Sequence, residues 1–256
     1  MKEELEKFLN IVKEFDEKVY QEKKRQFEET ERLQEQMRLK LILEGCGMDL
    51  RIYNEAKNFK FDEFEYEVNG KKKNSKEIIE SVREWFKYKK REKPFLILYG
   101  NYGTGKTKIA QRIAINVIEK RLGSVFYVEE KLLDSKFYEF DEVNNFIDEI
   151  KGVDYLIIDD FLTGHRTEYK MSMLFTILDY RYSRKLYTII TSNFDFLNSD
   201  NKQEITDFAR LKDRLLEVGH FVKFDYPSRR VNAKVKKFQE ENNTGNNKGI
   251  GKEFFP

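Results

Sequence analysis

The chain has 256 residues, 37% of them charged and 39% hydrophobic, and its 48 Lys and Arg nearly balance its 46 Asp and Glu. This balance excludes a wholly basic nucleic-acid coat protein and an acidic tail protein, and 3 Pro with 13 Gly exclude a collagen-like or flexible low-complexity chain. The single cysteine, Cys46, excludes an intrachain disulfide and a cysteine-based zinc cluster. The sequence has neither an apolar core of signal-peptide length at its start nor a run of ~20 apolar residues, so we expect a cytoplasmic protein with no membrane partner.

Residues 1–44 predict an N-terminal helical arm. There is no Pro or Gly before Gly45, and apolar residues recur at three- and four-residue steps, as on one face of a helix. These residues are Leu5, Phe8, Leu9, Val12, Phe15 and Val19, followed less regularly by Phe27, Leu33, Met37 and Leu41. One long helix and a helical hairpin both fit. So narrow a stripe buries little area by itself, which favours a partner-binding arm over a helix packed on the main domain.

Residues 45–74 predict a linker that leads into the main domain. Gly45 and Gly47 permit a sharp turn after the arm, and residues 49–64 form a polar stretch that we interpret as irregular. Asn69-Gly70, followed by Lys71 to Lys73, indicates an exposed turn. A helix is expected to begin at Ser75, since Ile78, Val82 and Trp85 have helical spacing.

Residues 75–239 form the predicted main domain, and its strongest signal is a phosphate-binding loop. The apolar run 94–99 leads into a segment that satisfies G-x-x-x-x-G-K-[ST], and helical spacing follows it. In such a loop glycines let backbone N–H groups surround phosphate oxygens, the lysine reaches the β- and γ-phosphates, and the hydroxyl binds Mg²⁺. The predicted nucleotide-binding residues are Gly100, Asn101, Tyr102, Gly103, Thr104, Gly105, Lys106 and Thr107.

Further runs of strand character predict a parallel sheet. Residues 124–128 form one, and residues 155–158 form another that ends in Asp159 and Asp160. Carboxylates at the carboxyl end of a strand face the ligand crevice, so Asp159 is expected to hold Mg²⁺, either directly or through one of its ligands, and Asp160 to polarise the attacking water. A further run, 186–192, ends at Asn193, which either contacts the γ-phosphate or caps the next turn. Residues 240–256 lack apolar periodicity and are expected to be a disordered tail.

The segments GNYGTGKT, YLIIDDF, RLKDRLLE and FDYPSRR together resemble the successive motifs of the DnaC/DnaI-type helicase loaders and the related IstB transposition ATPases, all AAA+ proteins. The segment GCGMDLRIYNEAKNFKFDEFE is similar to the one these proteins carry before the ATPase fold, so the resemblance covers about residues 45 to 237. It implies an α/β fold: an AAA+ P-loop NTPase core with a central parallel sheet flanked by helices, preceded by the helical arm.

The resemblance also implies roles for site residues. Lys106 and Thr107 match Walker A, Asp159 matches the Walker B magnesium aspartate, and Asn193 matches sensor 1. Asp160 stands where many AAA+ proteins have a catalytic glutamate. Because its side chain is one methylene shorter, hydrolysis is expected to be slow.

Two arginines resemble catalytic arginines of the family. Arg214 resembles the arginine finger that reaches a neighbouring subunit's γ-phosphate, with Arg210 as the nearby alternative, and both also have the spacing of surface ion pairs on a helix. Arg230 resembles the sensor 2 arginine, and Arg229 is the adjacent alternative. A guanidinium suits both roles because it is permanently charged and its N–H donors fork towards phosphate oxygens.

The implied function is that of an ATP- and Mg²⁺-dependent helicase loader. It would assemble into a ring or spiral, engage a hexameric replicative helicase through the arm and help place it on single-stranded DNA. The DNA contact is expected to be weak or assembly-dependent. An IstB-like ATPase that regulates a transposase on DNA is the alternative. Candidate DNA-binding residues are Lys71, Lys72, Lys73, Arg166, Arg229, Lys234, Lys236 and Lys237.

Overall fold

The computed structural model describes residues 2–61, 64–88, 92–137, 143–162, 167–195 and 206–229. These residues fall into two compact units, divided between Leu50 and Arg51. None of the helices within these ranges has the length and apolar content that a membrane span requires. The expected tail, residues 240–256, lies outside the described residues.

The first unit is built on α1 (Lys2–Gly45), an uninterrupted helix of 44 residues. Of the two arrangements that the sequence pattern left open, the structure therefore has the single long helix. After it the chain turns at Gly47, whose φ of 70° suits glycine, and the Met48 amide donates to the Leu43 carbonyl at 2.8 Å.

The stretch expected to be irregular contains a helix, α2 (Leu50–Lys57), so that part of the prediction is wrong. Its buried residues, Tyr53 and Ala56, lie three positions apart on one face. A helix of eight residues with two buried positions is too short for hydrophobic periodicity to distinguish it from an irregular linker.

An antiparallel hairpin of β1 (Glu65–Val68) and β2 (Lys71–Asn74) follows. The turn predicted at Asn69-Gly70 is confirmed, with φ of 51° and 73°. The three lysines do not extend this turn as expected, because they pair with β1 as part of β2.

The helix expected from Ser75 is present as α3 (Ser75–Tyr88). The side chain of Asn74 accepts from the Lys76 amide at 2.8 Å, as an N-cap does. The Ser75 hydroxyl instead accepts from the Phe64 amide at 2.9 Å and so ties the helix start to the chain before the hairpin.

A parallel sheet of five strands forms the centre of the second unit, in the order β4-β5-β6-β3-β7. The strands are β3 (Phe95–Gly100), β4 (Val125–Glu129), β5 (Tyr155–Phe161), β6 (Tyr187–Ser192) and β7 (Gly219–Phe224). Four of them were predicted. The fifth, β7, was missed because it lies at the sheet edge, where burial alternates with exposure and the sequence lacks a continuous apolar run.

Helices flank this sheet and connect its strands. They are α4 (Lys106–Glu119), α5 (Glu130–Phe137), α6 (Val143–Lys151), α7 (Glu168–Arg184) and α8 (Thr206–Val218). The central strands carry near-continuous apolar runs because they are covered on both faces, and β3 is buried along five of its six residues. The main core joins β3, β5 and β6 to α6, α7 and α8.

One charged side chain, Arg181 near the end of α7, is fully buried in this core region. Its guanidinium donates to the Thr188 hydroxyl at 2.9 Å and to main-chain carbonyls on both sides of it. These carbonyls belong to Lys151 at 3.0 Å, Val153 at 2.7 Å, Asp154 at 3.4 Å and Tyr187 at 2.5 Å. The guanidinium thus links the turn before β5 to the start of β6. Its planar set of N–H donors allows it to bind several acceptors at once.

We expect Arg181→Lys to lower the free energy of unfolding by about 2–4 kcal/mol, because one ammonium cannot satisfy carbonyls spread across two turns and buried acceptors would lose their partners. Arg184→Lys, the same change at an exposed site three residues on, should cost at most about 1 kcal/mol, the value of its contact with the Tyr180 ring at 3.7 Å. Urea unfolding of both variants measures the difference, and equal losses would contradict this role.

Candidate nucleotide-binding site

The phosphate-binding loop lies between β3 and α4, and its backbone adopts conformations that favour glycine. Gly100, Gly103 and Gly105 have φ of 118°, 68° and 99°. At Gly100 an added Cβ would lie 2.5 Å from the carbonyl oxygen of Phe224. Any larger residue there would therefore push the loop away from β7.

The loop is held by hydrogen bonds to Phe224, the last residue of β7, and to the segment that follows it. The Asn101 amide donates to the Phe224 carbonyl at 2.8 Å, the Tyr226 hydroxyl donates to the Thr104 carbonyl at 2.5 Å, and the Arg229 amide donates to the Gly103 carbonyl at 3.0 Å. The carbonyls of Gly103 and Thr104 thus have donors from this segment. In a loop of this kind, backbone amides and the start of the following helix bind an anion.

The hairpin in turn supports this segment. The ring of Tyr226 packs against Phe64 and Tyr66, with centroid distances of 4.9 and 5.3 Å. Lys73 of β2 forms an ion pair with Asp225. The region expected to be a linker therefore buttresses the loop through the chain that follows β7.

Lys106, the first residue of α4, is 5% exposed and directs its ammonium at three oxygens. These are the carbonyls of Gly100 at 2.9 Å and Asn101 at 2.7 Å and the side-chain oxygen of Asn193 at 2.9 Å. Burial lowers the pKa of Lys106 to about 8, against the opposing effect of the Asp160 and Asp159 carboxylates. The predicted lysine and the predicted polar residue at the end of β6 are thus in direct contact.

Asp159, at the end of β5, receives three hydroxyl groups. Thr107 donates to its Oδ1 at 3.0 Å, Thr191 also donates to Oδ1, and Tyr127 donates to Oδ2 at 2.7 Å. A hydroxyl and a carboxylate side by side are the hard oxygen ligands that Mg²⁺ prefers, so Thr107 and Asp159 fit a magnesium ion.

Asp160 is turned out of the strand by a bulge. The register between β5 and β6 shifts between Ile158 and Phe161, and Asp160 has a φ of 55°. Its amide donates to the Thr191 hydroxyl at 3.0 Å. Loss of hydration raises the pKa of Asp160, and the charges of Asp159 and Glu129 add to this effect, which makes Asp160 a better proton acceptor.

Some of these residues line a cavity of about 680 Å³, a volume typical of a small-molecule site. Tyr102 lies at this cavity with 74% of its side chain exposed. The lining residues are Phe59, Tyr102, Gly103, Thr104, Gly105, Lys106, Thr107, Lys108, Asp160, Asn193 and Arg229.

The candidate arginines occupy different places. Arg229 lines the cavity and lies over the ring of Phe61 at 5.1 Å, whereas Arg230 lies outside the described residues. Arg214 and Arg210, on α8, do not line this cavity in the part of the chain that the structure describes. Arg214 pairs with Asp179, while Arg210 is 63% exposed and 3.7 Å from Asp207.

At least five residues of the site were not identified from the sequence, Lys108 and Thr191 among them. Phe59 lies in the supposed linker, Tyr226 is in the FDYPSRR segment without an assigned role, and Tyr127 is in a predicted strand. Of these residues, only Tyr226 could have been identified from the sequence, because it lies within a motif that resembles the family. Nothing local distinguishes Phe59 or Tyr127 from ordinary aromatic residues.

Comparison with known families gives a match over most of the chain. The model of the IstB-like ATP binding protein family matches residues 31–237. The replicative helicase loader DnaI of Bacillus subtilis (strain 168) is 29% identical over 147 residues. That alignment covers 53% of this chain and 47% of DnaI, so it spans about half the length of the relative.

Solved structures show the same fold. A crystal structure of DnaI superposes with a TM-score of 0.53 and 25% identity, covering 71% of this chain and 94% of that one. A crystal structure of the DnaC helicase loader has a TM-score of 0.51 and 18% identity, covering 69% and 99%, and at that identity the likeness concerns the fold alone. The predicted AAA+ P-loop NTPase fold is confirmed.

We expect nucleotide affinity to fall as the pH rises above about 8. Below the Lys106 pKa the ammonium is charged before and after binding; above it the free protein has lost a proton that the bound phosphates would restore. Calorimetric titration with ADP at pH 7 and pH 9, in buffers of different ionisation enthalpy, should show weaker binding and proton uptake at pH 9. Equal affinity without proton uptake would contradict this.

Proposed function

The chain belongs to the family of IstB-like ATP-binding proteins, and on this premise we propose that it is a Mg²⁺-dependent ATPase that loads a replicative DNA helicase onto single-stranded DNA. The observation that carries the ATPase part is the contact between Lys106 and Asn193 beside the Thr107–Asp159 pair. The match to the DnaI loader supports the helicase part.

In the proposed reaction each site residue has a separate task. Lys106 exchanges its carbonyl contacts for the β- and γ-phosphates, and Asn193, which it contacts, responds to the γ-phosphate. Thr107 and Asp159 hold Mg²⁺, which neutralises phosphate charge when bound. Asp160 orients and polarises the attacking water from the cavity wall.

We assign the arginine finger to Arg214, acting on a neighbouring subunit in a ring or spiral. Its guanidinium is held by Asp179 and lies over the rings of Phe175 and Tyr182 at 4.6 and 5.3 Å. A guanidinium fixed in this way loses little conformational entropy when it meets a phosphate. It remains 29% exposed, so a partner can reach it. We assign the sensor 2 role to Arg230. Arg229, which lines the cavity, is the alternative.

We expect Arg214→Ala to leave ATP binding by the separate subunit unchanged and to lower assembly-dependent turnover by on the order of 10³-fold, the effect of losing an arginine finger. Arg210→Ala, on the same helix, is the matched control and should keep turnover. ATP binding and turnover measured against protein concentration test both variants. A loss with Arg210→Ala alone would move the finger to Arg210.

The helicase contact is proposed for α1, the arm of residues 1–44. Apolar side chains along it are more than half exposed, which is unusual for a helix that serves no partner. These side chains are Phe15, Tyr20, Phe27, Leu33, Met37 and Leu41. Residues 45–74 then connect the arm to the ATPase domain, proposed as residues 75–239.

We expect Phe27→Glu with Met37→Glu to abolish capture of a hexameric helicase from host extract while ATP binding persists, since charges would replace the apolar contacts. Gln34→Glu, an exposed polar position on the same helix, is the control and should retain capture. Mass spectrometry identifies the captured protein. A transposase in its place would favour the second candidate, a transposition ATPase, which the IstB-like family match supports.

Contact with single-stranded DNA is proposed to depend on assembly. Among the candidate cations, Lys73 is already paired with Asp225 and Arg229 lies against Phe61, whereas Lys71 and Lys72 are exposed on β2. Arg166, Lys234, Lys236 and Lys237 lie outside the described residues. With a net charge of +2, one subunit has no bulk attraction to DNA, so repeated weak patches in an assembly suit this function better.

A further inference from the structure

A chain of hydrogen bonds reaches Asp159 from the surface of α4, and the ATPase reaction as described does not use it. The Lys108 ammonium donates to the side-chain oxygen of Gln111 at 3.3 Å, and Nε2 of Gln111 donates to the Tyr127 hydroxyl at 3.1 Å. That hydroxyl donates to Oδ2 of Asp159 at 2.7 Å. Gln111 and Tyr127 are buried, at 5% and 3% exposed.

The direction of the chain is fixed at its outer end. Lys108 has only donors, so the Gln111 side chain must turn its oxygen to Lys108 and its NH₂ group to Tyr127. Lys108 is itself held by Glu55 of α2 at 2.5 Å. A tyrosine hydroxyl has one proton, and because its oxygen accepts from Gln111, that proton is left for Asp159. Hydrogen bonds that all run in one direction polarise and strengthen one another.

We propose that Tyr127 and Gln111 are positioning residues that aim the Asp159 carboxylate at the metal, an inference that rests on the proposed ATPase site. Tyr127 occupies Oδ2, which leaves Oδ1 directed at Thr107. Without this bond Oδ2 has lost its donor, and the carboxylate is held only through Oδ1, by Thr107 and Thr191. Neither residue is itself among those that line the nucleotide cavity, and Tyr127 reaches the site through Asp159.

Two substitutions test the bond from opposite sides. Tyr127→Phe removes the donor. Gln111→Glu keeps the size of the side chain but replaces the NH₂ donor with an acceptor, so Tyr127 gives its proton to the new carboxylate and presents its lone pairs to Asp159. Gln111→Leu removes the donor to Tyr127 without offering an acceptor, so Tyr127 can still donate to Asp159.

The readout is the gain in affinity for a non-hydrolysable ATP analogue when Mg²⁺ is added, measured by calorimetry on the full chain. We expect this gain to be smaller by on the order of 10-fold in Tyr127→Phe and in Gln111→Glu, the usual effect of removing a hydrogen-bond partner of a metal ligand. The affinity measured without metal should not change. Gln111→Leu should lose clearly less than Gln111→Glu. ATP turnover should follow the same order.

Tyr155→Phe is the matched control, because it deletes a hydroxyl from a buried tyrosine of the same sheet whose ring stacks on Tyr187 at 5.0 Å. It should keep the full Mg²⁺ gain. Thermal melting checks folding; if Tyr127→Phe melts early, the Gln111→Glu and Gln111→Leu pair, which leaves the tyrosine in place, decides the outcome.

A wild-type Mg²⁺ gain in Tyr127→Phe would overturn the inference and leave the proposed ATPase intact. Equal losses in Gln111→Leu and Gln111→Glu would also overturn it, because packing and not donor direction would then be responsible. Failure of the wild-type chain to bind the analogue at all would overturn the proposed function, and the inference with it.

Discussion

The site depends on one constraint: a loop that presents its amides to phosphate also needs hydrogen-bond donors for its own carbonyls. Here the carbonyls of Gly103 and Thr104 are bound by the Arg229 amide and the Tyr226 hydroxyl. Both donors come from the chain just after β7, an edge strand that pairs with β3. The edge of the sheet, and the hairpin packed on Tyr226, are therefore part of the phosphate-binding apparatus although they contribute no catalytic group.

The strand order decides which side chains can meet at this loop. Because β3 lies between β6 and β7, the loop that follows it has Asn193 on one side and the segment after β7 on the other. The next strand outwards, β5, brings Asp159 within 3.0 Å of Thr107, and β4 beyond it brings Tyr127 to the same carboxylate. Parallel strands end at one edge, so residues far apart in the chain form one site.

Charge in this protein is used locally. The totals of 48 positive and 46 negative residues nearly cancel, but individual pairs have fixed positions, such as Lys73 with Asp225 and Lys108 with Glu55. Arg181 is buried among carbonyls, and within the described residues none of its hydrogen bonds goes to a carboxylate; there it joins two turns of the core. Net charge alone is therefore a poor guide to what this chain binds, since fixed charges act at particular contacts.

The sequence by itself determined the features that local patterns encode: the phosphate-binding loop, the four apolar strands, the helix α3 and the amphipathic helical character of the arm. That the arm is one long helix was decided by the structure. The roles given to Asp160, Asn193, Arg214 and Arg230 remain predictions. Only the tertiary structure decided that α2 and β7 exist and that Tyr226 and Tyr127 belong to the site. Their contacts join residues 122 and 32 positions apart, to Thr104 and Asp159, and no periodicity or motif spacing records a hydrogen bond formed across that distance in the chain.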